Sequence, residues 1–288
     1  MLNIIDIGTN SARLMKAKVE EGTINDTEKF VITVRTGEKM TETGIIGDNA
    51  ITRICGALSE FKNRAEGTIE CFATSAFRDA KNRETVIAEI YETTGIAVRI
   101  MSGDEEAEMG FTGVTGKNGS GTVVDIGGGS TEVIHGKNGA ISYEHSFDIG
   151  CVRALDKFGE NGGKAVVEAW AAEQLRAVPF SSFGKSTFYG IGGTVTTLAA
   201  IDLGLAIYDR KKVDGHAITI MTVGDICSML YGKTIEERKS IPGLRPERAD
   251  IIAFGASILA EYMRIAQIDE LRVSESDNLE GYALLYCL

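Results

Sequence analysis

The sequence predicts an α/β protein of two similar halves, each a mixed sheet with helices packed on it. Three observations predict this. The tract Asp6-Ile7-Gly8-Thr9-Asn10-Ser11 returns 119 residues later as Asp125-Ile126-Gly127-Gly128-Gly129-Ser130. Each copy ends an apolar run, Leu2–Ile5 or Val123–Val124, and leads into a strand-like stretch, Arg13–Val19 or Thr131–His135. In both halves three strands give way to helices and further strands, and the turn-rich tract Lys117-Asn118-Gly119-Ser120-Gly121 separates them. The expected units are 1–116 and 117–288, with 277–288 packing back on the first.

In the first half, strands are expected at 2–7, 12–20 and 28–36. An amphipathic helix follows at 50–65, with Ile51, Ile54, Leu58 and Phe61 on one stripe. Then come a strand at 69–74, a helix at 82–94, a strand at 97–101 and a helix at 103–114. The second half restarts with strands at 121–126, 130–136 and 139–147. Helices at 150–158 and 164–177, a strand at 186–191 and a helix at 195–204 come next. Helices at 222–231, 234–240 and 247–267, a short strand at 270–274 and a helix at 278–288 complete the pattern.

The 288 residues suit one large or two ordinary domains, and 43% apolar with 25% charged residues is normal for a full core. A net charge of −11 argues against broad binding to nucleic acid or an anionic membrane. A locally basic cleft with a divalent cation can still take a phosphate substrate. The five cysteines form no CxxC pair and read as reduced cytoplasmic thiols. The first strand begins at once, so no signal peptide is expected. No apolar run approaches the length of a membrane span.

Chemistry concentrates at the turns. A glycine turn presents backbone N–H groups to phosphate oxygens, and an Asp beside it can hold a metal ion. This applies to Asp6 as to Asp125. Thr9, Asn10, Ser11 and Arg13 gather donors suited to phosphate, though a polar hairpin turn explains them equally well. Gly127-Gly128-Gly129-Ser130 is more telling, because three successive glycines make sense where a backbone must approach a ligand closely. Glu132 falls on the same strand face as Ser130, so Asp125 and Glu132 could flank one divalent cation or its water. Gly192, Gly193 and Thr194 open a helix whose N-terminus favours an anion.

Ser102 and Glu105 form a capping box, which gives Glu105 a structural role. Glu106 lies about 100° round the helix and is either a solvated first-turn acid or a general base aimed into the cleft. Arg78 could pair with phosphate or with Asp79 or Glu84. Lys233, Arg238, Lys239, Arg245 and Arg248 form a candidate approach path for a polyanion. His135, His145 and His216 lack metal-ligand spacing, and no nucleophile elbow occurs, which favours direct attack by water.

Together these tracts resemble the exopolyphosphatase/guanosine pentaphosphate phosphohydrolase family. The matching stretches are Asp6–Ser11, Ala73–Arg78, Ser102–Ala107, Val124–Glu132, Gly190–Thr194 and Pro242–Arg248, in family order. The resemblance implies two domains of the superfold shared by actin, Hsp70 and sugar kinases (ribonuclease H-like) with a cleft between them. It implies Mg2+- or Mn2+-dependent hydrolysis of a terminal phosphoanhydride in polyphosphate or guanosine pentaphosphate, with guanosine tetraphosphate and a homodimer as further partners. By the family pattern Glu106 is catalytic, Asp125 and Glu132 lie near metal and water, and Arg78 and Arg248 hold phosphate. The chain departs from the pattern at Asp214-Gly215-His216 and at Asp277–Gly281, which lacks the Arg usual before Glu-Gly. The alternatives are a noncatalytic guanosine tetra- or pentaphosphate-binding regulator and a small-molecule kinase or ATPase of the same superfold.

Overall fold

The computed structural model describes residues 1–20 and 23–288. Strands β1 (Leu2–Ile7), β2 (Ser11–Glu20), β3 (Thr23–Thr33), β4 (Ile69–Ala73) and β5 (Arg99–Ile100) form one sheet in the order β3-β2-β1-β4-β5. Strands β6 (Gly121–Ile126), β7 (Thr131–Lys137), β8 (Ala140–Phe147), β9 (Phe188–Ile191), β10 (Ala217–Thr219) and β11 (Glu270–Val273) form the other, in the order β10-β11-β9-β6-β7-β8. Without β10 the two orders match strand for strand. In each sheet the first three strands pair antiparallel and the last two join in parallel. The repeated Asp-Ile-Gly tract thus closes the innermost strand of each sheet.

The helices of the first half are α1 (Met40–Thr43), α2 (Asp48–Arg64), α3 (Ser75–Asp79), α4 (Arg83–Thr94) and α5 (Gly103–Thr115). Ile51, Ile54, Leu58 and Phe61 of α2 are buried with Ile5, Ile7 and Leu14 of the sheet, as the apolar stripe predicts. The second half carries α6 (Cys151–Phe158), α7 (Lys164–Leu175), α8 (Gly192–Asp202), α9 (Arg210–Val213), α10 (Ile220–Tyr231), α11 (Ile235–Arg238), α12 (Ile252–Ala266) and α13 (Asn278–Tyr282), the last running on as a π-turn over Ala283–Cys287. Helix α12 is buried along most of its length against Val195, Leu198 and Val167. No helix among the described residues is long and apolar enough to cross a membrane.

Two helices join the halves. Helix α5 buries Ala107 and Phe111 against Val123, Ile134 and Ile191 of the second sheet. Its Met109 faces the other way, into a cluster with Ile4, Met15 and Phe72 of the first sheet and Leu279, Tyr282 and Ala283 of α13. Tyr282 stacks on Phe72 with ring centroids 5.0 Å apart. Gly113 and Gly281 permit the crossing, since a Cβ on either would strike the backbone of the opposite segment.

Several boundaries differ from expectation. The strand expected over 28–36 begins at Thr23 and stops at Thr33. Beyond it Val34 N and Arg35 N both donate to Asn10 O and Gly37 N donates to Thr9 O, so the first turn draws the chain out of the sheet. Arg35 also has a positive φ of 49°. The helix expected over 247–267 is a 3-10 turn at Pro246–Arg248 followed by α12 from Ile252. The elements α1, α3, α9 and β10 are three to five residues long, too short for periodicity to reveal.

The Ser102–Glu105 capping box is formed, with Glu105 N donating to Ser102 Oγ at 3.1 Å and Ser102 N to Glu105 Oε2 at 2.8 Å. Glu105→Ala is therefore expected to cost about 1 kcal/mol, read as a lower Tm, with turnover unchanged. A Tm equal to the parent's would remove the cap from the stability of α5.

Candidate active site

The two repeated turns have the same internal geometry. Gly8 N donates to Ser11 O and Gly127 N to Ser130 O, both at 3.0 Å. They meet over a cavity of about 410 Å³ lined by Asp6, Gly8, Thr9, Asn10, Ser11 and Arg13 from the first half and Asp125, Gly127, Gly128, Ser130 and Glu132 from the second. Glu106, Gly192, Gly193, Thr194, Arg245 and Arg248 complete much of the wall. Of the residues expected at a phosphate site, Arg78 and Gly129 do not line it.

The glycine run has a more specific cause than room for a ligand. A Cβ on Gly128 would stand 2.9 Å from Thr9 Cβ. One on Gly129 would stand 2.8 Å from Ser75 Oγ and 2.9 Å from Thr9 Oγ1. Neither glycine has a positive φ. Both are small because the first turn presses on the second, and Gly129 borders a smaller cavity behind the contact. Gly129→Ala must part the Thr9–Ser75 hydroxyl pair, now 2.8 Å apart. It is expected to lower stability by about 1–3 kcal/mol, measured by denaturant unfolding; a neutral substitution would mean that the turns are free to separate.

Three buried carboxylates define the chemistry. Asp125 and Glu132 face each other across the β6–β7 register and so project from the same face. Glu132 accepts from Ser146 Oγ at 2.6 Å, and Asp125 from Asn278 Nδ2 at 3.4 Å. Glu106, in the first turn of α5, is held by the Arg78 guanidinium, which also donates to Met101 O at 3.2 Å. Burial pushes all three carboxyls upward. Asp125 rises to about 7, with Arg13 opposing the shift and Glu106 adding to it. Glu132 lies well above the usual range through burial and the neighbouring charges of Glu106 and Asp125. Glu106 is raised by burial although Arg78 pulls it down.

Asp6 stands apart from that group. Its Oδ2 accepts from Arg13 Nε at 3.0 Å, and Arg13 Nη1 continues to Asp277 Oδ2 at 2.6 Å. Burial works against Asp277, but Arg13 and Lys29 outweigh it and hold this carboxyl below its ordinary value. Of the expected ligands Asp6, Asp125 and Glu132, Asp6 thus commits one carboxylate oxygen to Arg13, and among the described residues no three His, Cys, Asp or Glu side chains form a ready-made metal cage. The remaining donor set still suits a hard cation. Asp125 and Glu132 are adjacent, and Asp6 Oδ1, Asn10 Oδ1 and Asn278 Oδ1 are buried acceptors without a hydrogen-bond partner. Mg2+ is commonly held by one or two carboxylates with water and substrate phosphates supplying the rest.

The same cavity also carries cations. Gly192, with φ of 80°, brings the start of α8 against Asp125, where a Cβ would collide with Oδ1. The Arg248 guanidinium rests over Gly193, where a Cβ would also collide. Among the described residues neither Arg248 nor Arg245 is within ion-pair distance of a carboxylate; the Arg245 guanidinium lies 5.8 Å from the Tyr208 ring centroid. The rest of the basic tract is elsewhere. Arg238 is buried and donates to Leu230 O and Ala249 O at 2.8 and 3.1 Å, and Lys239 pairs with Glu236 at 2.5 Å. The approach path shrinks to Arg245 and Arg248. Lys29, Tyr208, Arg210, Glu275, Asp277 and Asn278 also line the cavity. Of these only Asp277-Asn278 had a local signal, as a departure before the last helix.

Duplicated sheets of matching strand order, meeting over a cavity of glycine turns, carboxylates and cations, define a two-domain protein of the actin, Hsp70 and sugar-kinase superfold. The chain belongs to the Ppx/GppA phosphatase family, whose sequence profile matches residues 17–284. It is 33% identical over 311 residues to Exopolyphosphatase 2 of Mycobacterium tuberculosis, covering 97% of this chain and 96% of that one. A guanosine-5'-triphosphate,3'-diphosphate pyrophosphatase of Aliivibrio fischeri is 27% identical over 297 residues, covering 98% of this chain and 58% of the relative. The crystal structure of an exopolyphosphatase from Cytophaga hutchinsonii superposes with a TM-score of 0.86 at 25% identity, covering 100% of this chain and 98% of that one.

Proposed function

We propose that this protein hydrolyses the terminal phosphoanhydride of inorganic polyphosphate or guanosine pentaphosphate. The observation that carries this reading is the cavity's lining: the carboxylates Glu106, Asp125 and Glu132 share it with Arg245 and Arg248, which among the described residues have no carboxylate within ion-pair distance. Arg248 and the N–H groups at the start of α8 would hold the terminal phosphoryl group. Thr9, Ser11 and the Gly127–Gly128 backbone would fix its orientation. Glu106, steadied by Arg78, would take a proton from the attacking water. The water oxygen then bonds to the terminal phosphorus, the bridging P–O bond breaks, and the departing oxygen keeps the electron pair. Asp125 and Glu132 would hold Mg2+ or Mn2+, whose chemistry is to neutralise phosphate charge and orient the water.

Relatives named exopolyphosphatase and guanosine-5'-triphosphate,3'-diphosphate pyrophosphatase support both substrates for this reading. A noncatalytic regulator would have no need of the Glu106 and Asp125 carboxylates, and both are present. The test is phosphate release from long-chain polyphosphate, tripolyphosphate, guanosine pentaphosphate and ATP, with Mg2+ and with excess chelator. Release from the first three that requires the metal is expected. Full activity in chelator would overturn the metal assignment, and no release from any of them would overturn hydrolysis.

A further inference from the structure

Part of the cavity wall is not used by the proposed reaction: Thr27, Glu28, Lys29 and Val31 of β3, Tyr208 and Arg210, and Glu275 from the loop before α13. Its cations are already engaged. Lys29 Nζ donates to Glu275 O at 2.6 Å and Glu280 Oε2 at 2.8 Å and stands 3.5 Å from Asp277. Arg210 donates to Thr27 Oγ1 at 2.6 Å, Glu280 Oε1 at 2.9 Å and Glu275 O at 3.3 Å. Arg210 Nε stands 3.3 Å from Glu275 Oε2, and the Tyr208 hydroxyl donates to Glu275 Oε1. Glu275 is therefore pinned at both carboxylate oxygens, with its side chain 12% exposed. Glu28, which also lines the cavity, is exposed and has no cationic partner among the described residues.

A fixed carboxylate in a cavity for polyanions needs an account. As a partner for Lys29 and Arg210 it is redundant, because Glu280 and Asp277 already face them. Its distinct effect is on what enters. A phosphate chain seated on Arg248 and Arg245 ends beside Tyr208, whose hydroxyl holds Glu275, so each further phosphate in that direction meets this carboxylate. Like charges brought together with little water between them repel and reject the wrong partner.

We infer that Glu275 is a specificity-determining residue that limits the length of phosphate chain the cavity accepts, favouring substrates with few consecutive phosphates over long-chain polyphosphate. This rests on the phosphoanhydride reading of the same site. Tyr208 and Arg210 touch that carboxylate through a hydrogen bond and an ion pair, and the charge of Glu275 rather than the Tyr208 hydroxyl sets the limit.

The test compares the parent with Glu275→Gln and Tyr208→Phe. For each, kcat/KM is measured on tripolyphosphate and on long-chain polyphosphate, and binding of both is measured by calorimetry without Mg2+. Glu275→Gln is expected to raise the long-to-short ratio of kcat/KM by about tenfold. That gain should shrink as ionic strength rises, since salt screens the repulsion. Tyr208→Phe keeps the charge and is expected to leave the ratio where it is in the parent, which separates charge from packing. A ratio unchanged in Glu275→Gln, in a protein that keeps the parent's melting curve, overturns the inference. If Glu275→Gln unfolds, Glu275→Ala and Glu28→Gln give the same reading of charge. If no variant turns over any substrate, hydrolysis itself fails, and the calorimetric ratio still decides the role of Glu275. Binding of neither chain overturns both.

Discussion

Glu106→Gln is expected to slow phosphate release by about 10²–10⁴-fold, the usual contribution of a general base. The melting temperature should change little, because losing the Arg78 ion pair is offset by no longer burying a charge. Arg78 gives the sharper test. Burial raises the Glu106 carboxyl and Arg78 lowers it, so removing Arg78 raises it further. A base must be unprotonated to work. The acidic limb of the kcat/KM profile should therefore move to higher pH in Arg78→Ala, with activity recovered at alkaline pH. Normal turnover in Glu106→Gln on every substrate, or an unmoved limb in Arg78→Ala, would return Glu106 to a structural role.

Asp125→Asn is expected to cost about 100-fold or more in activity and yet to stabilise the metal-free protein at alkaline pH. Folding raises this carboxyl from 3.8 to about 7, so the folded state holds its proton more tightly than the unfolded chain. The resulting stabilisation is complete below the unfolded value and is lost as pH rises through about 7. The amide has no such loss. In chelator, the Tm of Asp125→Asn minus that of the parent should grow between about pH 5 and pH 8. Added Mg2+ should raise the parent's Tm at the upper end and not the variant's. A difference flat in pH would mean that Asp125 is not a strained carboxylate.

Much of this was legible from residues because the fold repeats one device. An Asp ending an apolar run, then a glycine turn, marks the centre of each sheet whatever surrounds it, and Glu106 stood out because Glu105 already had the cap. Long amphipathic helices such as α2 were readable from their stripes. What failed to show depends on contacts far apart in sequence. The reason for Gly128 and Gly129 lies at Thr9 and Ser75. Arg78 looked toward neighbouring acids, but its partner Glu106 is 28 residues away. Lys29, Arg210 and Glu275 converge from three elements, and no local pattern announces such a wall.

Leu279, Tyr282 and Ala283 complete a cluster with Ile4, Met15 and Phe72. Strands β1 and β2 therefore wait for a helix translated more than 250 residues after them. Until then Phe72 lacks its stacking partner and Met109 faces an open groove, on a nascent chain whose second sheet can already be assembling. Maturation of the first sheet thus waits on Asn278 to Ala283, and a chain cut short before Asn278 would present an exposed apolar surface of the kind that chaperones and proteases recognise.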